Sequence, residues 1–252
     1  MRSRPVTQID APRTPFRIRS FGVTDRGTVR EVNEDNLLLR ENLCLWAVAD
    51  GMGGHSRGDF ASATVVDFLG TVRPFADPRS LLLDVVSRLE DANERLREEA
   101  RAGGSDAIGA TVVGLIMLDR EGLVVWAGDS RAYRMRRRRI EQLSADHSVV
   151  QDLVEAGLLK AEDAEDHPHA HVLTRAIGAN DSLELDFERI TIEAGDTYVL
   201  CSDGLTRVVS DEAIAGVIET FIQPDRIAHE LIRLALENGT QDNVTVVAVT
   251  VG

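Results

Sequence analysis

The 252-residue sequence contains no apolar run approaching the ~20 residues that a bilayer-spanning helix requires, so neither a membrane anchor nor a membrane partner is expected. Its opening stretch, MRSRPVTQIDAPRTPFRIRS, carries arginines without a continuous apolar core, which is not the pattern of a secretory signal. Pro5, Pro12 and Pro15 make residues 1–15 read as a disordered tail ahead of the first strand. Cysteine is scarce. Cys44 and Cys201 each sit in an apolar, strand-like run, are too few for a disulfide framework, and read as buried reduced thiols of a cytoplasmic protein. No CxxC or HExxH pattern occurs, so neither a thiolate zinc site nor a metalloprotease helix is expected. Repeats and low-complexity linkers are also missing, which leaves residues 16–252 as a single domain. Positive charge is the scarcer sign. With 28 basic against 42 acidic residues the net charge is −14, so polyanions are repelled and a nucleic-acid partner is not expected. The local exception is YRMRRRR, Tyr133 to Arg139, which reads either as a solvated strand and hairpin turn or as a basic rim that draws in anionic substrates.

What is present is a chain of short apolar runs. Strand-like stretches cover Phe16–Thr24, Asn36–Arg40, Leu43–Ala49, Ala110–Leu118, Leu123–Ala127, Ala132–Met135, Leu183–Ile192, Thr197–Cys201 and Val244–Val251. LLLRENLCLWAVA and VVGLIMLDREGLVVWAG read as antiparallel hairpins. Helical patterns come in pairs: Gly58–Gly70 with Arg79–Ala102, and Asp211–Ile222 with Pro224–Asn238, the last stopped by Gly239. In Arg79–Ala102 the spacing of Leu82, Val86, Leu89, Ala92 and Leu96 marks the buried face. A shorter helix is expected over Ser148–Ala156. Hairpin groups of strands with paired helices predict an α+β fold: a four-layer α-β-β-α sandwich of two stacked antiparallel sheets flanked by helix pairs. Gly157–His171, acidic and carrying HPHAH, reads as a surface flap. Its His167, His169 and His171 read as a polar loop, because no carboxylate or cysteine completes a site at fixed spacing.

Four carboxylates stand at strand ends. LWAVADGMGGHSRGD drives a hydrophobic strand into Asp50; Asp129 ends LVVWAGDSRAY; Asp203 ends TYVLCSDGL; Asp242 precedes the strand of GTQDNVTVVAV. Any one alone suits an ordinary turn. Four of them at the edges of stacked antiparallel sheets can converge, and converged carboxylates stay ionised only with cations among them. Oxygen-only ligands select a hard ion, Mg²⁺ or Mn²⁺. Glycines after Asp50 strip away side chains so that the backbone can approach an ion, which makes the Gly51 carbonyl a candidate ligand. In RGTVREVNEDN, Arg30 suits bidentate contact with phosphate, and Glu34 with Asp35 suits a carboxylate that holds metal-bound water; a surface salt bridge would use the same residues. Asn243 heads an NVT glycosylation triplet, which carries no meaning without a secretion signal.

In order, GTVREVNEDN, VADGMGGHSRGD, GATVV, WAGDSRAY, LSADHS, LTRAIG, VLCSDGLT and QDNVTVV make the chain resemble the metal-dependent protein phosphatases of the protein phosphatase 2C type, in their short bacterial form, from about residue 21 to 250. The resemblance implies the same sandwich and two bridging Mn²⁺ or Mg²⁺ ions. It makes Asp50 the bridging carboxylate, Gly51 a carbonyl ligand, and Asp203 and Asp242 the remaining ligands. It places Glu34 on metal-bound water with Asp35 beside it, Arg30 on the substrate phosphate, and Asp129 at a weaker third ion. Ser148 to His171 matches the variable flap, about 148–171. Eukaryotic members carry a His general acid directly after the Asp-Gly pair; here Met52 stands there, and His55 is the candidate acid. The implied reaction is hydrolysis of phosphoserine and phosphothreonine in proteins by direct attack of a metal-bridging hydroxide. Neither cysteine lies in a phosphate-loop pattern, which argues against a cysteine-dependent tyrosine phosphatase. The implied partners are phosphorylated protein substrates and a bacterial Hanks-type Ser/Thr kinase, and a monomer is expected. Two rival readings are a phosphatase dedicated to one phosphoserine regulator, and a non-catalytic module that grips a kinase.

Overall fold

A computed structural model describes residues 14–53, 57–74, 77–103, 108–164 and 167–252. Along the chain run β1 (Ile18–Asp25), β2 (Asp35–Arg40), β3 (Leu45–Gly53), α1 (Gly58–Gly70), α2 (Pro78–Gly103), β4 (Ile108–Ala110), β5 (Val112–Leu118), β6 (Glu121–Ala127), β7 (Arg131–Arg136) and β8 (Arg139–Gln142). They are followed by α3 (Val149–Glu155), β9 (Asp186–Thr191), β10 (Thr197–Cys201), α4 (Asp203–Thr206), α5 (Asp211–Thr220), α6 (Pro224–Glu237) and β11 (Val244–Val251).

Two antiparallel sheets result, one ordered β1-β11-β10-β7-β8 and the other β2-β3-β5-β6-β9 with β4 added against β3. Period-two alternation divides each strand between two cores. From β3, Trp46 and Val48 point between the sheets, where they meet Leu200, Val247 and Val249. Leu45, Ala47 and Ala49 of the same strand point the other way, onto α1 and α2. Across the molecule, α5 and α6 cover the outer face of the first sheet through Ile214, Ile227 and Leu231. Buried hydrophobic layers on both faces of both sheets are the predicted four-layer sandwich. No helix among the described residues is long and apolar enough to cross a membrane.

Several local expectations need correction. The buried face of α2 begins Leu81, Val85, Leu89 rather than Leu82, Val86, Leu89. The run LLLDVV satisfies helical spacing in either register, and packing chose one, leaving Leu83 59% exposed. Ala110–Leu118 is not one strand: Thr111 interrupts it, because its N–H donates to the Asp50 carbonyl (2.8 Å) and its Oγ1 accepts the Asp50 N–H (3.1 Å). The strand expected to end at Ala49 continues through Gly53, so Gly51 and Gly53 are extended backbone paired with β4. Of the expected tail, residues 1–13 lie outside the described residues, and Thr14 Oγ1 donates to the Asp119 carbonyl (3.2 Å).

The basic stretch is a hairpin whose turn falls before Arg139, at Arg137 and Arg138, both with positive φ (51° and 64°). Four of its five arginines are engaged by acids: Arg134 with Glu141, Arg136 with Glu193 and Asp196, Arg137 with Glu193, and Arg138 with Glu219. None of them lines the cleft described below, so the geometry favours the reading of a solvated strand and hairpin turn.

Candidate metal centre

The sheets deliver acidic side chains to one end of the sandwich. Asp50 of β3 faces Asp35 of β2 directly across the antiparallel ladder. Asp129 follows the end of β6, Asp203 opens α4 immediately after β10, Asp242 precedes β11, and Glu34 precedes β2. Glu34, Asp50, Asp129, Asp203 and Asp242, with Arg30 and Gly51, line a single cleft of about 740 Å³. Sequence separation is irrelevant to this convergence, because strand ends on neighbouring strands are only about 5 Å apart.

Each carboxylate has a local support. The turn before Asp129 is held by reciprocal bonds: the Gly128 N–H donates to His147 Nδ1 (3.2 Å), and the His147 N–H donates to the Gly128 carbonyl (2.9 Å). Gly128 has φ +113°, and a Cβ there would sit 2.6 Å from Thr111, so no other residue fits this turn. His147 is in turn held by Asp186 Oδ2 on Nε2 (3.2 Å) and by stacking on Trp126. Gly51 donates its N–H to the Glu34 carbonyl (3.1 Å), and a Cβ on Gly51 would lie 1.9 Å from the Gly58 carbonyl oxygen. Glu34 Oε1 accepts the Gly58 N–H (3.1 Å) at the start of α1, where the helix end favours negative charge.

Electrostatics identify the group that this site lacks in its side chains alone. Burial, followed by repulsion from Asp203, Asp35, Asp129 and Asp242, raises the Asp50 carboxyl well above its ordinary range. Burial and the neighbouring Asp203 and Asp146 push Asp129 up to about 7. Asp35 is also pushed up to about 7 by burial, although the Ser202 and Thr245 hydroxyls each donate to its Oδ2 at 2.7 Å. Asp203 is raised by burial, against the opposing pull of Arg207. Asp35 Oδ1 and Asp203 Oδ1 are buried with no hydrogen-bond partner among the described residues. Unpartnered, mutually repelling carboxylate oxygens are the surroundings that hard divalent cations satisfy, so the donor set fits Mg²⁺ or Mn²⁺. Among the described residues, no three acidic, histidine or cysteine side chains are already drawn into the spacing of a one-ion cage. Guanidiniums hold the outer carboxylates instead: Arg30 Nη2 lies 2.8 Å from Asp242 Oδ2, and Arg207 pairs with both Asp203 and Asp242.

Arg30, Glu34, Asp50, Gly51, Asp129, Asp203 and Asp242 therefore come together as the sequence predicts, with Asp35 buried beneath them. His55 lies outside the described residues. Three participants were not anticipated. Asn243 is 3% exposed; its Oδ1 accepts the Glu34 N–H (2.7 Å), and its Nδ2 donates to the carbonyls of Arg26 (2.9 Å) and Val32 (3.0 Å), which staples down the loop that carries Arg30. Arg207 had a readable signal, since it lies one helical turn after Asp203, but α4 was not anticipated. His171 lines the cleft, while the rings of His167 and His169 lie tilted against each other at 5.6 Å.

Comparison with known proteins agrees with this geometry. The family described as Protein phosphatase 2C matches residues 27–235. The protein phosphatase PhpP of Streptococcus pneumoniae is 32% identical over 236 residues, which covers 90% of this chain and 95% of that protein. Among solved structures, PppA of Pseudomonas aeruginosa superposes with a TM-score of 0.87 at 36% identity, covering 93% of this chain and 98% of that one. The catalytic domain of the serine/threonine protein phosphatase PstP, solved in complex with two manganese ions, superposes with a TM-score of 0.83 at 34% identity, covering 93% and 98%.

Proposed function

The chain belongs to the protein phosphatase 2C family, and from that premise we propose how its cleft divides the work of a metal-dependent protein serine/threonine phosphatase. The observation that carries the reading is the convergence of Glu34, Asp50, Asp129, Asp203 and Asp242 with Arg30 in one cleft. Asp50, Asp203 and Asp242, with the Gly51 carbonyl, are the residues to hold two Mn²⁺ or Mg²⁺ ions, and Asp129 is the residue for a third. When bound, two such ions supply Lewis acidity and make coordinated water more acidic.

The chain's own groups do the rest. Arg30 binds the phosphoryl group, and its neighbouring carboxylates, Asp242 first, hold its guanidinium firmly charged. Glu34, fixed by the Gly58 N–H, orients water at the cleft floor by accepting its hydrogen bond. Asp35 buttresses Asp50 across the strand pair and is itself locked by Ser202 and Thr245. Of the expected flap, about residues 148–171, His171 lines the cleft. Neither cysteine serves as a nucleophile: burial pushes the Cys201 thiol up to about 12 and also raises that of Cys44, so neither is a thiolate near neutrality. The reaction proposed is therefore direct hydrolysis by water rather than transfer of the phosphoryl group to a cysteine. The substrates are phosphoserine and phosphothreonine side chains of proteins, which the open cleft admits. A Ser/Thr protein kinase must supply such esters, so the enzyme opposes one.

The test is direct. Purified protein should hydrolyse p-nitrophenyl phosphate with added Mn²⁺ or Mg²⁺ and stop in excess chelator. Asp50→Asn or Asp203→Asn should lower kcat by at least about 100-fold, because the charge that holds the ions is lost. Full turnover in excess chelator would contradict the reading.

A further inference from the structure

Arg30 is not the only guanidinium aimed at Asp242. Arg207, which caps the C-terminus of α4, turns back over the carboxylates at the start of that helix. It pairs with Asp203 Oδ2, and its Nη1 lies 3.5 Å from Asp242 Oδ2. Arg30 Nη2 lies 2.8 Å from that same Asp242 oxygen. Two guanidiniums from opposite ends of the chain thus straddle one carboxylate oxygen on the rim of the cleft. Both line the cleft, and both remain partly solvent-exposed, at 50% and 35% of the side chain. Arg207 also borders the adjoining chamber of about 120 Å³ that contains Asp129, Arg131 and Asp146.

We propose that Arg207 is a second phosphate-binding arginine, acting with Arg30 on the phosphoryl group of the substrate. The inference rests on the phosphatase reading above and adds a residue to it. Asp203 and Asp242 cannot give their oxygens fully to divalent cations and to two guanidiniums at once. Once cations take them, Arg30 and Arg207, which share the Asp242 oxygen, are left charged and in need of acceptors. A phosphomonoester dianion offers three terminal oxygens, enough to take donors from both forks while facing the cations. Arg207 spans Asp203 and Asp242, the second of which is Arg30's own partner.

The experiment measures binding rather than turnover. Manganese-loaded wild type, Arg207→Ala, Arg207→Lys, Arg30→Ala and the double Arg30→Ala/Arg207→Ala variant are titrated with inorganic phosphate by calorimetry. Manganese affinity and stoichiometry are measured in the same proteins. Loss of a charge-assisted contact predicts about ten-fold weaker phosphate binding for Arg207→Ala. Arg207→Lys should be intermediate, because it keeps the charge but not the fork. The double variant should bind phosphate more weakly than either single one, with two manganese ions still bound. Phosphate affinity within two-fold of wild type in Arg207→Ala, together with tighter manganese binding, would overturn the proposal and leave Arg207 a counter-ion to Asp203. Should Arg207→Ala fail to fold, Arg207→Lys and Arg207→Gln carry the same comparison. Wild type that binds neither manganese nor phosphate would overturn the metal-dependent reading itself, and this inference with it.

Discussion

Asn243 shows how much one buried side chain can decide. As sequence it is the head of an NVT triplet with no glycosylation context. In the structure it satisfies three backbone groups of the 26–34 loop, which otherwise has little to fix it: Val29 is 65% exposed and Val32 44%. Asn243→Ala removes the acceptor for the Glu34 N–H and both donors to the Arg26 and Val32 carbonyls. We expect about 2 kcal/mol loss of stability in denaturant melts, because the freed groups near Glu34 are only partly reached by water. KM for p-nitrophenyl phosphate should rise more than kcat falls, since Arg30 is displaced while Asp50 and Asp203 are not. Asn243→Asp keeps the Glu34 bond but sets a carboxylate against two carbonyls, so it should fare no better. An unchanged KM in Asn243→Ala would separate this loop from phosphate recognition. Nothing in the local sequence could have revealed the staple, because all three partners lie more than 200 residues away.

Elements were legible where periodicity is strong, and they shifted where the site intervenes. The paired helices and most strands appear where the sequence places them, and the corrections cluster around Asp50 and Thr111, where backbone bonds cut β4 from β5. The β7–β8 hairpin carries a different lesson. Its two-residue turn puts Arg137 and Arg138 in the left-handed region, where Asn-Gly is preferred. Each arginine accepts that conformation while paired with an acid, Glu193 or Glu219, and exposed pairs contribute roughly 0.2–1 kcal/mol at most. Arg137→Asn combined with Arg138→Gly should therefore raise stability by about 1 kcal/mol. Thermal unfolding monitored by circular dichroism checks this, and activity should not change because neither residue lines the cleft. A lower melting temperature would mean that the ion pairs outweigh the backbone strain.

For the whole molecule, the carboxylate cluster sets a dependence on pH. Asp35 and Asp129 titrate near 7 in the folded chain, mainly because burial disfavours their charged forms, against about 4 for an exposed aspartate. A carboxyl whose pKa is raised on folding binds its proton more tightly in the native state. Its contribution to stability is complete below about pH 4 and is lost as pH rises through about 7. Despite burial, Asp186 and Asp196 are shifted the other way, Asp186 by its bonds from His147 and then Arg175, Asp196 first by Arg136, so what they contribute is lost only in acid. The chelated protein should therefore melt at a lower temperature at pH 8 than at pH 5.5. Added Mn²⁺ should raise the melting temperature more at pH 8, where protons compete least for the same oxygens. Differential scanning fluorimetry at both pH values, with chelator and with Mn²⁺, reads the difference. A chelated protein that grows steadily more stable from pH 5.5 to 8 would show that the cluster is not strained as described.

The sequence alone determined that hydrophobic runs of strand period alternate with paired amphipathic helices. It also placed acidic residues at the ends of four of those runs. Both are local properties, carried by spacing and by the turn preferences of Asp beside Gly, so they survive without a structure. Tertiary structure decided which carboxylates share a cleft. It also decided that Arg207 and His171 reach it, that Asn243 secures its rim, and that the basic hairpin does not take part. Those relations depend on how two stacked sheets bring strand ends together across as many as two hundred residues. The sheet spacing that sets them is written nowhere in any single stretch of the chain.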